Sequence, residues 1–152
     1  MKNMKKTLLF YFILFLIPFN FKSQTPINAS IKETNFFPGS IPRGLLKTNN
    51  HIVFSAFTGF GNEPYKYNIQ TGEVNLIQNI NGNSGNSMLK NEFHELNGKI
   101  VYFASDNSNF QLWTTDLSTN ATSIIKDFNI YFSSSSNIIS KVFGNKLYFV
   151  YQ

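Results

Sequence analysis

Beyond residue 23 the apolar positions come in short runs, each broken by Asn, Gly, Ser, Thr or Asp, and no stretch keeps a helical period. The clearest set reads as four strands. Ser87 to Leu96 is the first, Lys99 to Ser105 the second, Gln111 to Thr115 the third and Ala121 to Phe128 the fourth. Asn97-Gly98 joins the first two, and that dipeptide between extended runs predicts a type I′ hairpin, because both central residues need positive φ. Asp106-Asn-Ser-Asn109 and Asp116 to Asn120 supply the later turns.

The set repeats. Displaced by 48 residues, Asn49 to Ala56 lies over Asn97 to Ala104, Glu63 to Ile69 over Gln111 to Leu117, and Val74 to Asn81 over Thr122 to Asn129. Apolar falls on apolar and turn residue on turn residue. Asn49-Asn50 and Gly144-Asn145 stand where Asn97-Gly98 stands, and Thr71-Gly72 serves the later turn of the first copy. Gly144 to Val150 opens a third copy, and Asn35 to Ser40 parallels Asn79 to Ser84. The copies run over about 41–88, 89–136 and 137–152 of a repeat region spanning 24–152. Four antiparallel strands every roughly 40–50 residues predict an all-β chain of β-propeller blades.

The residues also resemble a known family. Asn97-Gly-Lys-Ile-Val-Tyr-Phe103, then Gln111-Leu-Trp-Thr-Thr-Asp116, then Ser123-Ile-Ile-Lys-Asp127 are similar to the ELWxxDGTxxGT (hyalin-like) repeat. Pro38-Gly39-Ser40 and Gly82-Asn83-Ser84 resemble its closing segment. Gln111 replaces the family's Glu, Leu117-Ser118 replace its Gly-Thr, and the first copy carries Glu63-Pro-Tyr65 for Glu-Leu-Trp. The resemblance implies a propeller-like array in exported bacterial proteins, with no catalytic residues to carry over.

The first residues follow another pattern. Lys2, Lys5 and Lys6 precede an uncharged apolar run from Thr7 to Phe19, broken by Pro18 and followed by a polar exit. That is the layout of a secretory signal peptide over 1–23, shorter than a membrane-spanning helix needs. The expected location is the medium, the cell surface or the periplasm, with membrane contact only through the signal during export. The chain has no cysteine, so packing alone must hold it. Of its 13 cations, 4 lie in the first 22 residues, leaving 9 against 8 acids. The remaining lysines are scattered, which argues against a nucleic-acid partner.

Candidate chemistry is thin. His94-Glu95 lacks the second histidine of a zinc-protease motif, and His51 belongs to another copy. Glu92 and Glu95 stand three apart, which on a strand sends them to opposite faces. Asp106 to Asn109 is oxygen-rich but lacks the spaced carboxylates of a calcium loop, and reads as Asx-turn chemistry. Ser133 to Ser136 read as a flexible connection without a base. Trp113 and Tyr65 share one repeat position, which points to packing between blades. Asn28 and Asn120 head Asn-x-Ser/Thr sites that matter only in a eukaryotic secretory pathway.

No catalytic, cofactor-binding or metal-binding residue is therefore assigned, and no cofactor is expected. One reading is a non-catalytic secreted or cell-surface module that binds a protein or carbohydrate. The other is the N-terminal part of a polysaccharide-acting enzyme whose active residues lie elsewhere. Two blades plus partial ones suggest a truncated or fragmentary array, or one completed by self-association.

Overall fold

A computed structural model describes residues 39–82, 84–131 and 137–152, all within one compact unit, Lys32–Gln152. The segment read as a signal peptide, Asn28, the partial copy before Gly39 and the serine run 133–136 lie outside the described residues. Among the described residues there is no helix. Ten strands form three antiparallel sheets, each a simple meander. The first is β1 (Arg43–Lys47), β2 (His51–Thr58), β3 (Gly61–Asn68) and β4 (Val74–Leu76). The second is β5 (Met88–Leu96), β6 (Lys99–Ser105), β7 (Phe110–Thr115) and β8 (Thr122–Asp127). The third is the pair β9 (Ile138–Phe143) and β10 (Lys146–Tyr151).

The repeat is visible in the pairing. Phe54 faces Tyr65 as Tyr102 faces Trp113, and Ala56 faces Glu63 as Ala104 faces Gln111. The first strands β1, β5 and β9 lie beside one another, as the inner strands of consecutive blades do. The fold is an open, propeller-like series of blades.

The turns follow from residue type. Asn97 and Gly98 have φ of 51° and 74°, the type I′ geometry that the dipeptide predicts. Gly144 alone is positive in its hairpin, and Asn49-Asn50 are spanned instead by Thr48, whose N–H donates to His51 O at 2.9 Å. Gly72 closes the β3–β4 turn at φ 74°, and Asn120, one repeat later, takes the same conformation at φ 60°. Asparagine is the residue that best replaces glycine there. Asn120 thus keeps in the second copy the left-handed turn position that Gly72 holds in the first.

Two differences from regularity have local causes. Pro64 sits in β3 between two partners, and its carbonyl accepts from Ile77 N at 2.9 Å, one residue past β4. Proline has no N–H for a further rung, so β4 is three residues long where β8 has six. In β5 the stretch from Met88 to Phe93 spans only Tyr102 to Ala104 of β6, so the strand bulges strongly.

Packing is between sheet faces. Val53, Ile80, Met88, Phe93, Ile100, Tyr102 and Ala104 fill the space between the first and second sheets, with Leu46, Ile77, Trp113 and Leu117 around them. Phe103, Phe110 and Ile138, with Leu112, Phe128, Leu147 and Tyr151, do so between the second and third. Phe110 stacks on Phe128 at 4.7 Å and on Tyr151 at 5.2 Å. Each fully buried side chain of this kind contributes about 1.5–3 kcal/mol. The far face of the third sheet is open, with Ile139, Phe143, Tyr148 and Val150 all more than half exposed.

The junction between the first two blades is polar. Glu63 is fully buried, and its Oε2 accepts from Ser87 Oγ at 2.5 Å and Ile80 N at 3.1 Å. Asn91 Oδ1 accepts from Ser55 Oγ at 2.6 Å and Asn62 Nδ2 at 3.0 Å. Beside it the inner strands nearly touch: a Cβ on Gly44 (φ 64°) would lie 1.9 Å from the Asn91 carbonyl oxygen.

Gly44→Ala is expected to cost about 2 kcal/mol or more, from positive φ and the clash together. An unchanged urea midpoint would show that β1 and β5 do not approach so closely. Burial pushes the Glu63 carboxyl up, against the pull of Ser87 and Ile80. A raised carboxyl favours the fold below its ordinary value of 4.5, and that contribution is lost as pH rises through the higher folded value. Glu63→Gln, which copies Gln111, is therefore expected to raise the melting temperature at pH 7 and to lose this gain towards pH 4. Calorimetry across that range checks it.

Candidate functional site

The turns at one end of the first two sheets enclose two adjoining clefts. The first, of about 260 Å³, lies between the β1–β2 turn (Thr48 to His51), the β5–β6 hairpin (Glu95, Gly98) and the β7–β8 turn (Asp116 to Ser118). Thr48 Oγ1 is bonded to both the His51 N–H and the His51 carbonyl at 3.1 Å, which fixes that turn. Asp116 Oδ1 accepts from Ser118 Oγ at 2.6 Å, Ser118 N at 2.9 Å and Thr119 N at 3.3 Å. These donors, with Lys99 nearby, hold the Asp116 carboxyl below its usual range. It is committed to shaping the turn.

The second cleft, of about 370 Å³, is bounded by His51, Lys66, Asn68, Glu73, Asn75, Leu76 and Asn120. Lys66 comes from β3 and is only 8% exposed. Its Nζ reaches across to the second sheet, donating to Leu117 O at 3.1 Å and to Asn120 Oδ1. Burial and then the Lys66 charge push the His51 imidazole below 6.5, so it is neutral at pH 7. Asn68 Oδ1 accepts from Gln70 N at 2.9 Å and Thr71 N at 3.1 Å.

A third polar group lies where β5 meets β9. Lys90, Glu92 and His94, at alternate positions of β5, gather around Ser140. Glu92 Oε2 accepts from Lys90 Nζ at 2.9 Å and from Ser140 Oγ at 3.1 Å. His94 Nε2 is 2.9 Å from the same Oγ, and Lys90 Nζ also donates to Ile138 O at 2.5 Å. With the Ser140 proton directed at Glu92, His94 acts as donor to the hydroxyl rather than as its base. The arrangement ties two inner strands together. Burial pushes the Glu92 carboxyl up, but Lys90, Ser140 and His94 hold it below its usual range. Burial pushes His94 down, and Glu92 pulls it back up.

The other residues singled out by sequence have structural surroundings. Glu92 and Glu95 do point apart, the first to Ser140 and the second to the first cleft. Asp106 Oδ1 caps its turn, accepting from Ser108 N at 3.0 Å and Asn109 N at 3.2 Å, while Oδ2 accepts from Gln111 Nε2 at 3.1 Å. Trp113 packs against the core between the first two sheets and donates its N–H to Gln111 Oε1 at 3.1 Å. Tyr65 is buried against Phe54, its hydroxyl 2.7 Å from Thr58 Oγ1. His51 and Glu95, from different copies, border one cleft. Among the described residues no group of three or more His, Asp or Glu is placed to hold a metal ion.

Sequence reasoning missed Lys66 and Ser140. Lys66 stood among scattered lysines, although its neighbours Tyr65 and Tyr67 mark a strand whose equivalent position in the next copy is the uncharged Thr114. Ser140 is preceded by Ile138 and Ile139, a run whose pairing with the next hairpin marks it as a strand. No family model matches the chain, and neither the curated proteins nor the solved structures contain a match.

The His94 imidazole is expected to titrate below 6.5, and Glu92→Gln to lower its midpoint further by removing the one charge that raises it. Proton NMR of the ring signals reads both. A rise in the variant would break the assignment of Glu92 as its partner.

Proposed function

We propose that this chain is a non-catalytic binding or adhesion module of an exported bacterial protein, assembled from blades of the ELWxxDGT type and acting outside the cytoplasm. The ligand is a protein or a carbohydrate met at the turn end of the blades. The observation that carries this reading is the pair of clefts that share His51, walled by turn residues from both blades. A rigid stack of sheets presenting polar groups from its loops is the usual construction of a recognition surface. The acids there support the same reading, since Asp116 is engaged with its own turn and Glu95 is exposed. The Lys-rich, then apolar, beginning of the chain supports export. The similarity of Asn97–Phe103 and Gln111–Asp116 to the repeat family supports the surface assignment.

Intact-mass measurement on cells and medium is expected to find the mature form, starting near residue 24, outside the cytoplasm. Recovery only in the cytoplasm with Met1 to Ser23 intact would end the export reading. The same purified protein is expected to be retained by a polysaccharide or surface-protein ligand without cleaving it. Release of new reducing ends by this chain alone would end the non-catalytic reading.

A further inference from the structure

The second cleft is unusual in what it has left to offer. Asn68 spends its side-chain oxygen on the N–H groups of Gln70 and Thr71, and Asn120 spends its own on Lys66. What each has left is its amide NH₂, a donor. Lys66 has three N–H bonds and uses two, on Leu117 O and Asn120 Oδ1, both uncharged acceptors. Among the described residues the ion pairs are Lys90 and His94 with Glu92, and none involves Lys66. Burying a cation to this degree with only neutral hydrogen-bond acceptors is costly, and an anion in the cleft would offset that cost. Neutral His51 adds an N–H on the same border.

The acceptors lie beside these donors. Glu73 is exposed and Asn75 stands on β4, both bordering the same cleft. A ligand that satisfies the whole set carries an oxyanion and, beside it, uncharged hydroxyl donors for the Glu73 carboxylate. A sugar acid has that combination in a single unit. An acidic peptide brings its charge on an apolar stem and has only its backbone N–H groups, not a ring of hydroxyls beside the charge, to offer Glu73.

We propose that this cleft binds the carboxylate of a uronic-acid-containing oligosaccharide, with Lys66 as the partner of the anion and the Asn68 and Asn120 amides as further donors. The proposal rests on the binding-module reading and names its ligand class. Charge-assisted hydrogen bonds from a buried ammonium are the strong members of such a set.

The test is calorimetric titration of the purified protein with a galacturonate trisaccharide, the corresponding neutral galactose trisaccharide and a glutamate-rich peptide. The expected order is binding of the acidic sugar, with the neutral sugar and the peptide each about tenfold weaker or more. Lys66→Met is expected to lose about tenfold or more for the acidic sugar, while Lys66→Arg keeps most of it and the affinity falls with salt. Thermal melts check that both variants are folded. Because Lys66→Met also removes the tie to Leu117, Asn68→Asp serves as the second variant, replacing a donor by an acid while leaving Lys66 in place. It too is expected to weaken the acidic sugar selectively. Equal binding of the neutral sugar or the peptide, or full affinity in folded Lys66→Met or Asn68→Asp, overturns the proposal. Retention of the neutral sugar alone overturns the anion assignment and leaves the binding-module reading standing. Silence towards all three ligands overturns the ligand class, and the wider polysaccharide and surface-protein trial then decides the module reading.

Discussion

The carboxyl group of Glu63 fixes where the second blade begins. It receives a backbone N–H from Ile80 and a hydroxyl from Ser87, and both residues lie in the link from β4 to β5, Ser87 at its end. A loop of that length left to itself has many conformations, each costing entropy to exclude. Anchoring it at two points on one buried oxygen removes part of that freedom. The inner strands then lie close enough for Gly44 to meet the Asn91 backbone, and Asn91 in turn gathers Ser55 and Asn62. The apolar core between the sheets forms around this polar hinge line, and the clefts at the turn end exist because the two blades are held at that spacing.

The second copy solves the equivalent problem differently. Gln111 stands where Glu63 stands, but its amide is spent within its own sheet, on Asp106, Asp127 and Trp113. The join to the third sheet is made instead by stacked rings and by the Lys90–Glu92–Ser140 tie. Similar sheets are thus joined by unlike chemistry, one interface by a buried carboxyl and the other by aromatic packing and half-exposed charges.

Much of the fold was legible. A 48-residue displacement brings Ile52–Ala56 onto Ile100–Ala104, and that alone marks the strand order, because alternation and turn residues are local properties. Asn97-Gly98 specified its hairpin for the same reason. The bulge in β5 was not legible: it depends on how β5 meets both β1 and β9, which no short window contains. Nor was Lys66. A lysine between two tyrosines reads as the solvent side of a strand, and only the arrival of the β7–β8 turn from the next blade covers it. The clefts share this origin, since each is walled by residues far apart in sequence.

The open face of the third sheet gives the molecule a direction. Two strands, Ile138–Phe143 and Lys146–Tyr151, are held on one side only, while the second sheet is covered on both. In a linear series each unit is stabilised chiefly by its neighbours. Opening of β9 and β10 would bare Phe103 and Phe110, which this sheet covers. The turn-end clefts, lodged between the first and second sheets, take no wall residue from either strand.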